Sequence, residues 1–230
     1  MSQGQPAKID TLIFDFDGVI IDTETPDYVS WQEVYHSHGV QLERSLWTDF
    51  IGGGDVFDAY RHLEKLIGNR IDRDAIREQR RRRYLEIIES KSLLPGVMEY
   101  ILEAKKLGLK LGVASSSSRD WVEGHLLGRD ILRHFVSIKS ADDVSNVKPD
   151  PELYLASVAH MGTRPENALA IEDSANGITA AKRAGLYCVV VPNEMTKDMS
   201  IDHADLRLES LSDMPLKALL VGLTEAGLSA

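Results

Sequence analysis

Short apolar runs recur along most of the chain, and segments with a helical period separate them. Five such runs, each bounded by polar or turn residues, are typical of buried strands in a parallel sheet. They span residues 12–14, 109–114, 135–140, 167–171 and 186–191. A final amphipathic segment with leucines at 216, 219, 220 and 223 predicts a helix packed on the sheet. The pattern therefore predicts an α/β fold built around a parallel sheet.

The alternation of strand and helix stops after Asp22 and returns near residues 94–96. Helix-like patterns fill the gap at residues 26–38, 47–68 and 72–90, and Gly52–Gly54 interrupt the second of them. We interpret residues 22–92 as a helical cap domain, inserted into a core domain formed by residues 1–21 and 93–230. An insert at the ligand-binding end of a sheet is well placed to act as a lid.

Composition narrows the classes of protein to consider. The 230 residues are 43% hydrophobic and 27% charged, as in an ordinary globular protein, and the net charge is −10. That charge argues against nucleic acid or an anionic membrane as the main partner. Cys188 is the only cysteine, which favours a reducing, cytoplasmic location. The polar N-terminus does not resemble a signal peptide, and we expect no transmembrane segment and a monomer.

Two carboxylates follow the first apolar run, in Asp15-Phe16-Asp17-Gly18. Residues two apart in extended backbone point to the same side, so Asp15 and Asp17 can face one site. Gly18 allows the chain to turn sharply there. Ligands of open parallel sheets bind beyond the carboxyl ends of the strands. A pair of carboxylates at that position predicts a cation site, and Mg²⁺ prefers oxygen ligands; a plain polar turn is the alternative.

Polar groups also follow three later strands. Ser115–Ser118 come after the second strand, where hydroxyls and loop amides can hold a phosphate. Lys148 lies between Val147 and Pro149, just before a helix for which Asp150 is the predicted N-cap. Glu172 and Asp173 follow the fourth strand. Taken alone, Lys148 is better explained as an ordinary surface lysine, so the prediction depends on all the groups together.

Two other patterns in the sequence do not indicate a functional site. The run Arg80–Arg83 in the insert favours a solvated helix face over an anion site, because consecutive residues radiate around a helix. The seven histidines form no cluster with the local spacing of a metal site. Neither pattern adds a candidate site.

Four motifs in this order resemble the haloacid dehalogenase-like superfamily, in the branch of β-phosphoglucomutase and its phosphatase relatives. They are DFDGVIIDT (15–23), VASSS (113–117), VKPDPELY (147–154) and IEDSANGI (171–178). The resemblance covers essentially the whole chain. It implies a Rossmann-like core sandwiched by helices, an inserted helical cap, and a Mg²⁺-dependent phosphatase that acts on a small phosphorylated metabolite, such as a sugar phosphate.

The resemblance also implies a role for each matching residue. Asp15 would be the nucleophile that forms an aspartyl-phosphate, and Asp17 the general acid and base. Ser115, Ser116 and Lys148 would hold the phosphoryl group. The metal ligands would be Asp15, the backbone carbonyl of Asp17, and Asp173, with Glu172 in or near the coordination shell. An Asp at position 17 is typical of the phosphate-transferring members of the superfamily. The resemblance therefore argues against a dehalogenase.

One departure from β-phosphoglucomutase lies in the insert. That enzyme grips a second phosphate with a Lys and an Arg, and Ile51 and Asp55 align with them here. An Asp at that place would repel a second phosphate, so a phosphatase is favoured over a phosphomutase. A catalytically idle protein that binds a phosphorylated metabolite is the third hypothesis, and the intact acid and nucleophile argue against it.

Overall fold

The computed structural model describes residues 8–48 and 58–226. Its parallel strands form one sheet in the order β3-β2-β1-β4-β5-β6. They are β1 (Thr11–Phe14), β2 (Lys110–Ala114), β3 (Ser137–Lys139), β4 (Ala168–Glu172), β5 (Tyr187–Val190) and β6 (Leu206–Arg207). The predicted parallel α/β fold is confirmed. Strand β6 was not predicted, because two residues are too short to show a period.

Helices connect the strands and cover both faces of the sheet. They are α1 (Glu24–Ser37), α2 (Arg44–Thr48), α3 (Ala59–Ile67), α4 (Arg73–Glu89), α5 (Val97–Leu107), α6 (Arg119–Gly128), α7 (Glu152–Met161), α8 (Ala175–Arg183) and α9 (Leu216–Ala226). Helix α5 ends at Gly108 in the left-handed conformation, as predicted. Among the described helices none has the length and apolar character that spanning a membrane requires.

The two faces of the sheet bury separate cores, and alternate residues of one strand serve both. Leu12 and Phe14 of β1 pack in the core beneath α5, α6 and α9, whereas Ile13 packs in the core beneath α7 and α8. All three side chains are fully buried. Each contributes about 1.5 to 3 kcal/mol by leaving water. A strand that is apolar on both faces reads as a continuous run, which explains the pattern in the sequence.

Helices α1 to α4 follow β1 and bury a core of their own. Trp31, Tyr35 and Leu63 lie in it, and the Tyr35 hydroxyl donates to the carbonyl of Ala59 at 2.8 Å. Met195, from the segment after β5, packs into the same cluster. The helical character of the insert is thus as predicted in the described residues. Its boundaries as a separate domain stay a prediction, and Ile51 to Asp55 lie outside the described residues.

Two predictions about local structure need correction. Arg80 is not part of a solvated face, because its guanidinium pairs with Asp27 and lies 4.9 Å from the centre of the Trp31 ring. Arg81 to Arg83 are exposed, as expected. Helix α7 begins one residue later than predicted, with Pro151 at the N-cap position. The Asp150 carboxylate still accepts from the backbone N–H of Glu152 at 3.0 Å.

Candidate active site

The candidate site lies at the carboxyl edge of the sheet. Asp15 follows β1, Ser115 follows β2, and Asp173 follows β4. Strand β1 pairs with both β2 and β4 in parallel, so the three strand ends meet. The backbone N–H of Asp15 continues the pairing by donating to the carbonyl of Ile171 at 2.9 Å. The sheet order therefore gathers three of the four predicted motifs at one edge.

Gly18 shapes the turn that follows Asp17. Its φ of +80° is a left-handed conformation, and a Cβ built on it would lie 2.3 Å from Oδ2 of Asp173. The amide of Asn193 fills the adjacent space, donating to Oδ2 of Asp173 at 2.6 Å and to the carbonyl of Gly18 at 3.3 Å. Only glycine lets the turn approach Asp173 this closely.

Lys148 lies at the centre of a buried polar network. Its Nζ donates to Oδ1 of Asp15 at 2.5 Å and to Oε1 of Glu172 at 2.7 Å. The Tyr154 hydroxyl donates to the same Glu172 oxygen. The Lys148 side chain is only 6% exposed. Burial would lower the pKa of Lys148, but the charges of Asp15 and Glu172 raise it instead, so the ammonium group keeps its proton.

Three carboxyl groups crowd one point beside that ammonium. One oxygen from each of Asp15, Glu172 and Asp173 lies within 4.8 Å of the others, and all three residues are buried. Burial, together with the neighbouring carboxylates, raises the pKa of Asp15 to about 8 against the opposing effect of Lys148. Burial raises the pKa of Asp173 well above its usual range, and the charges of Asp15 and Glu172 add to this effect.

The charge and the ligand types of this cluster indicate whether a metal ion fits there. Among the residues that the structure describes, Lys148 is the one cation hydrogen-bonded to these carboxyl groups. A divalent cation would cancel the remaining negative charge and keep the carboxylates ionised at neutral pH. Carboxylate oxygens are also the ligands that hard cations prefer. The donor set at Asp15, Glu172 and Asp173 therefore fits a divalent metal.

Asp17 is held away from this cluster by the serine loop and α6. Its Oδ2 accepts from the hydroxyls of Ser117 at 2.6 Å and Ser115 at 3.2 Å. Its Oδ1 accepts from the indole Nε1–H of Trp121 at 3.0 Å. Three donors thus fix the orientation of one carboxylate, which lies within reach of the same cavity as Asp15.

A cavity of about 590 Å³ opens above these residues. Asp15, Lys148 and Asp173 form its floor. Side chains from the insert close the opposite side, and we call Glu24, Asp27 and Tyr84 the insert-facing wall. Burial raises the pKa of Glu24 to about 8, and nearby carboxylates, chiefly Asp17, add to the shift. The cavity is large enough for a small metabolite.

The structure brings the predicted site residues together: Asp15, Asp17, Ser115, Ser116, Lys148, Glu172 and Asp173 all lie in or beside this cavity. Ser117 rather than Ser116 contacts Asp17, while Ser116 lines the cavity. The roles assigned to these residues stay predictions. No role was predicted for Tyr154, Asn193 or Trp121. Tyr154 lies in the VKPDPELY motif, which offered a signal, whereas no local pattern marks the other two.

The fold and the site define the class of protein, and comparisons with known proteins agree. A model of the haloacid dehalogenase-like hydrolase family matches residues 12–191. A protein of Bacillus subtilis (strain 168) is 46% identical over 92% of this chain and 96% of its own length. It is YhcW, provisionally designated a phosphatase. Hexitol phosphatase B of Escherichia coli (strain K12) is 33% identical over 94% of this chain and 98% of its own.

A solved structure is similar in three dimensions as well. CbbY from Rhodobacter sphaeroides, crystallised as a mutant with xylulose-1,5-bisphosphate, superposes with a TM-score of 0.71 at 27% identity. The match covers 92% of this chain and 99% of that one. This chain belongs to the haloacid dehalogenase-like hydrolases. The predictions that it is an enzyme and a phosphatase of this family are confirmed.

Proposed function

We propose that this protein is a Mg²⁺-dependent phosphatase that hydrolyses a small phosphomonoester through an aspartyl-phosphate on Asp15. The observation that carries the proposal is the contact of Asp15 with Lys148 at 2.5 Å inside a cluster of three buried carboxyl groups. A nucleophile, a fixed positive charge and a set of metal ligands then share one point. Phosphoryl transfer needs these three together, because its catalysis is mostly positioning and charge stabilisation.

In the first step, a carboxylate oxygen of Asp15 attacks phosphorus. The bond from Asp15 to phosphorus forms as the ester bond to the leaving oxygen breaks. Asp17, when protonated, gives its proton to that oxygen, so the product leaves as an alcohol. The Lys148 ammonium, 2.5 Å from the attacking carboxylate, stabilises the charge on the phosphoryl oxygens.

In the second step, water displaces Asp15 from phosphorus. Asp17, now a carboxylate, takes a proton from the water as its oxygen bonds to phosphorus, and phosphate is released. The phosphoryl group lies over the serine loop, where Ser116 lines the cavity. A Mg²⁺ ion held by Asp15 and Asp173, with Glu172 beside it, would neutralise phosphoryl charge and align the phosphate with the nucleophile.

The insert-facing wall supports a substrate with one phosphate and an uncharged, hydroxylated leaving group. Glu24 and Asp27 present carboxyl groups to the cavity, and the Arg80 guanidinium beside them already pairs with Asp27. Carboxyl groups form hydrogen bonds with hydroxyl groups, whereas the Arg80 guanidinium, already paired with Asp27, offers no free positive charge to a second phosphate. A polyol or sugar monophosphate fits this wall, in keeping with the name of hexitol phosphatase B. The wall disfavours the phosphomutase reaction.

Three wider predictions belong to the same proposal. Residues 22–92 act as a cap domain that closes over the substrate. The protein works as a monomer in the cytoplasm, consistent with its single buried cysteine, Cys188. Its physiological partner is a small phosphorylated metabolite.

The experiment that tests the proposal is phosphate release from a panel of polyol and sugar monophosphates, with Mg²⁺ or with excess EDTA. We expect release only with Mg²⁺, and none from Asp15→Asn. Asp74→Asn is the matched control, because Asp74 is 88% exposed and does not line the cavity. Release that survives in Asp15→Asn would overturn the proposal. Interconversion of phosphate esters without release would show a mutase, and thermal stabilisation by ligand without turnover would show a binding protein.

A further inference from the structure

The side chain of Trp121 joins the predicted acid–base residue to the insert. Its indole Nε1–H donates to Oδ1 of Asp17 at 3.0 Å. Its ring stacks on the ring of Tyr84, with centroids 5.7 Å apart and an angle of 11° between the planes. Trp121 belongs to α6 and Tyr84 to α4. One indole therefore contacts the reacting region and the insert at the same time.

The indole has little freedom to move as long as these contacts persist. The imidazole of His125 lies edge-on to it, with centroids 4.1 Å apart at 78°. His125 in turn stacks on Phe16, the residue between the two site aspartates. The indole has one hydrogen-bond donor, its Nε1–H, and no acceptor, so it can donate to Asp17 only in this orientation. Removing the Tyr84 ring would free one face of the indole.

A general acid must point its proton at the leaving oxygen, and small errors of placement are costly. The three donors to Asp17 differ in where they come from. Ser115 and Ser117 lie on the loop after β2, which belongs to the sheet, whereas Trp121 touches a helix of the insert. Of these three contacts, the one through Trp121 depends directly on where α4 lies.

We propose that Trp121 is a positioning residue for Asp17, and that its stacking on Tyr84 makes this positioning depend on the placement of α4. The proposal rests on the proposed function, because it takes Asp17 to be the general acid. When α4 is in place, the indole orients the Asp17 carboxyl group for the leaving oxygen. When α4 moves away, the indole loses its packing partner and the acid loses its orientation.

The first test uses leaving groups that differ in their need for an acid. Hydrolysis of β-glycerol phosphate expels an alkoxide, which requires protonation. Hydrolysis of p-nitrophenyl phosphate expels p-nitrophenolate, which is stable without a proton. We expect Trp121→Phe to lower kcat/KM for β-glycerol phosphate about tenfold, with KM changed less than about twofold. The value for p-nitrophenyl phosphate should fall by less than about threefold. Equal losses on both substrates would overturn the positioning role.

Trp47→Phe is the matched control, because Trp47 is a buried indole in the core of the insert and does not line the cavity. It should leave the ratio of the two kcat/KM values unchanged. Tyr84→Ala should reproduce the selective loss on β-glycerol phosphate, about threefold to tenfold, because general acid catalysis then loses its orientation. A Tyr84→Ala enzyme with an unchanged ratio would overturn the dependence on α4.

The second test needs no turnover, so it separates this proposal from the proposed function. The Trp121 indole N–H resonance in an amide NMR spectrum is assigned by its disappearance in Trp121→Phe. We expect it to shift in Asp17→Ala and in Tyr84→Ala, and to stay in place in Tyr84→Phe, which keeps the aromatic ring. No shift in Asp17→Ala would overturn the hydrogen bond. Absence of phosphate release by the wild-type protein would instead overturn the proposed function.

Discussion

The floor and the insert-facing wall of the cavity differ in the charged groups that they present. On the floor, Lys148 lies within 2.7 Å of two buried carboxylates. On the wall, Glu24 and Asp27 face the cavity, and the nearest guanidinium, Arg80, is drawn back into a pair with Asp27. The groups of the floor fit a dense anion together with a metal ion, whereas the carboxyl groups of the wall fit a partner that forms hydrogen bonds. Under the proposed function, this difference assigns the phosphoryl chemistry to the sheet and the choice of leaving group to the insert.

The largest expected effect comes from removing the charge at the centre of the floor. Lys148→Met leaves Asp15 and Glu172 buried without their partner. Activity should fall by about 10²- to 10³-fold, since a fixed charge on the phosphoryl group is lost. The free energy of unfolding should fall by about 3 to 5 kcal/mol, because uncompensated buried charges are costly. Steady-state kinetics and urea unfolding measure the two effects.

Lys182→Met is the matched control for that change. Lys182 pairs with Asp205, but its side chain is 36% exposed. Exposed ion pairs contribute about 0 to 1 kcal/mol, so this variant should lose little stability and no activity. Similar losses in the two variants would contradict the distinction between the floor and an ordinary surface pair.

A smaller effect is expected on the wall, where the Glu24 pKa is raised to about 8 by burial first and by neighbouring carboxylates second. A carboxyl group with a raised pKa in the folded state contributes stability fully below its unfolded pKa. That contribution is lost as pH rises through the folded pKa. The window runs from about pH 4.5 to about pH 8.

We therefore expect Glu24→Gln to gain stability relative to wild type as pH rises from 5 to 8.5. The gain should be about 1 to 3 kcal/mol in the free energy of unfolding, less than the full shift because Glu24 faces the cavity water. Urea unfolding at the two pH values measures this gain. Mg²⁺ is left out, so that metal binding at the floor does not affect the comparison. A constant difference between the two proteins across this window would contradict the raised pKa.

The smallest expected effect comes from making the charge of the insert-facing wall more positive. Asp27→Asn leaves the Arg80 guanidinium without its carboxylate. The ratio of kcat/KM for fructose 1,6-bisphosphate to that for fructose 6-phosphate should rise about threefold, as a second phosphate gains a partner. Glu33→Gln is the control, since Glu33 pairs with the exposed Arg83 on the outer side of the same helices. An unchanged ratio would mean that Arg80 does not reach the leaving group.

Local patterns were sufficient to predict the site residues that follow the strands. Asp15, Ser115 and Asp173 each follow an apolar run, and an apolar run before a polar cluster is visible without any knowledge of tertiary structure. The position of Lys148 before α7 was also predictable from the two prolines that follow it, Pro149 and Pro151. The same patterns failed for β6, which is too short, and for the partly buried Arg80, whose neighbours in sequence are exposed.

The wall and the supporting contacts depend on pairs that are distant in sequence. Trp121 reaches Asp17 across 104 positions, and Asn193 reaches Asp173 across 20. Such contacts depend on the order of strands in the sheet and on how the insert packs over it, and no period along the chain encodes either. Ser117 rather than Ser116 faces Asp17 because the loop turns after β2, which a run of four identical residues cannot indicate.

The sequence by itself predicted the parallel α/β core, the helical character of the insert and the candidate site residues, because strand and helix periods and strand-end motifs are local properties. The tertiary structure alone decided which side chains surround those residues: the amide of Asn193 on Asp173, the indole of Trp121 between Asp17 and Tyr84, and the acidic wall. Those contacts arise only when β1 lies between β2 and β4 and α4 packs beside α6, since folding alone brings distant segments within hydrogen-bonding distance.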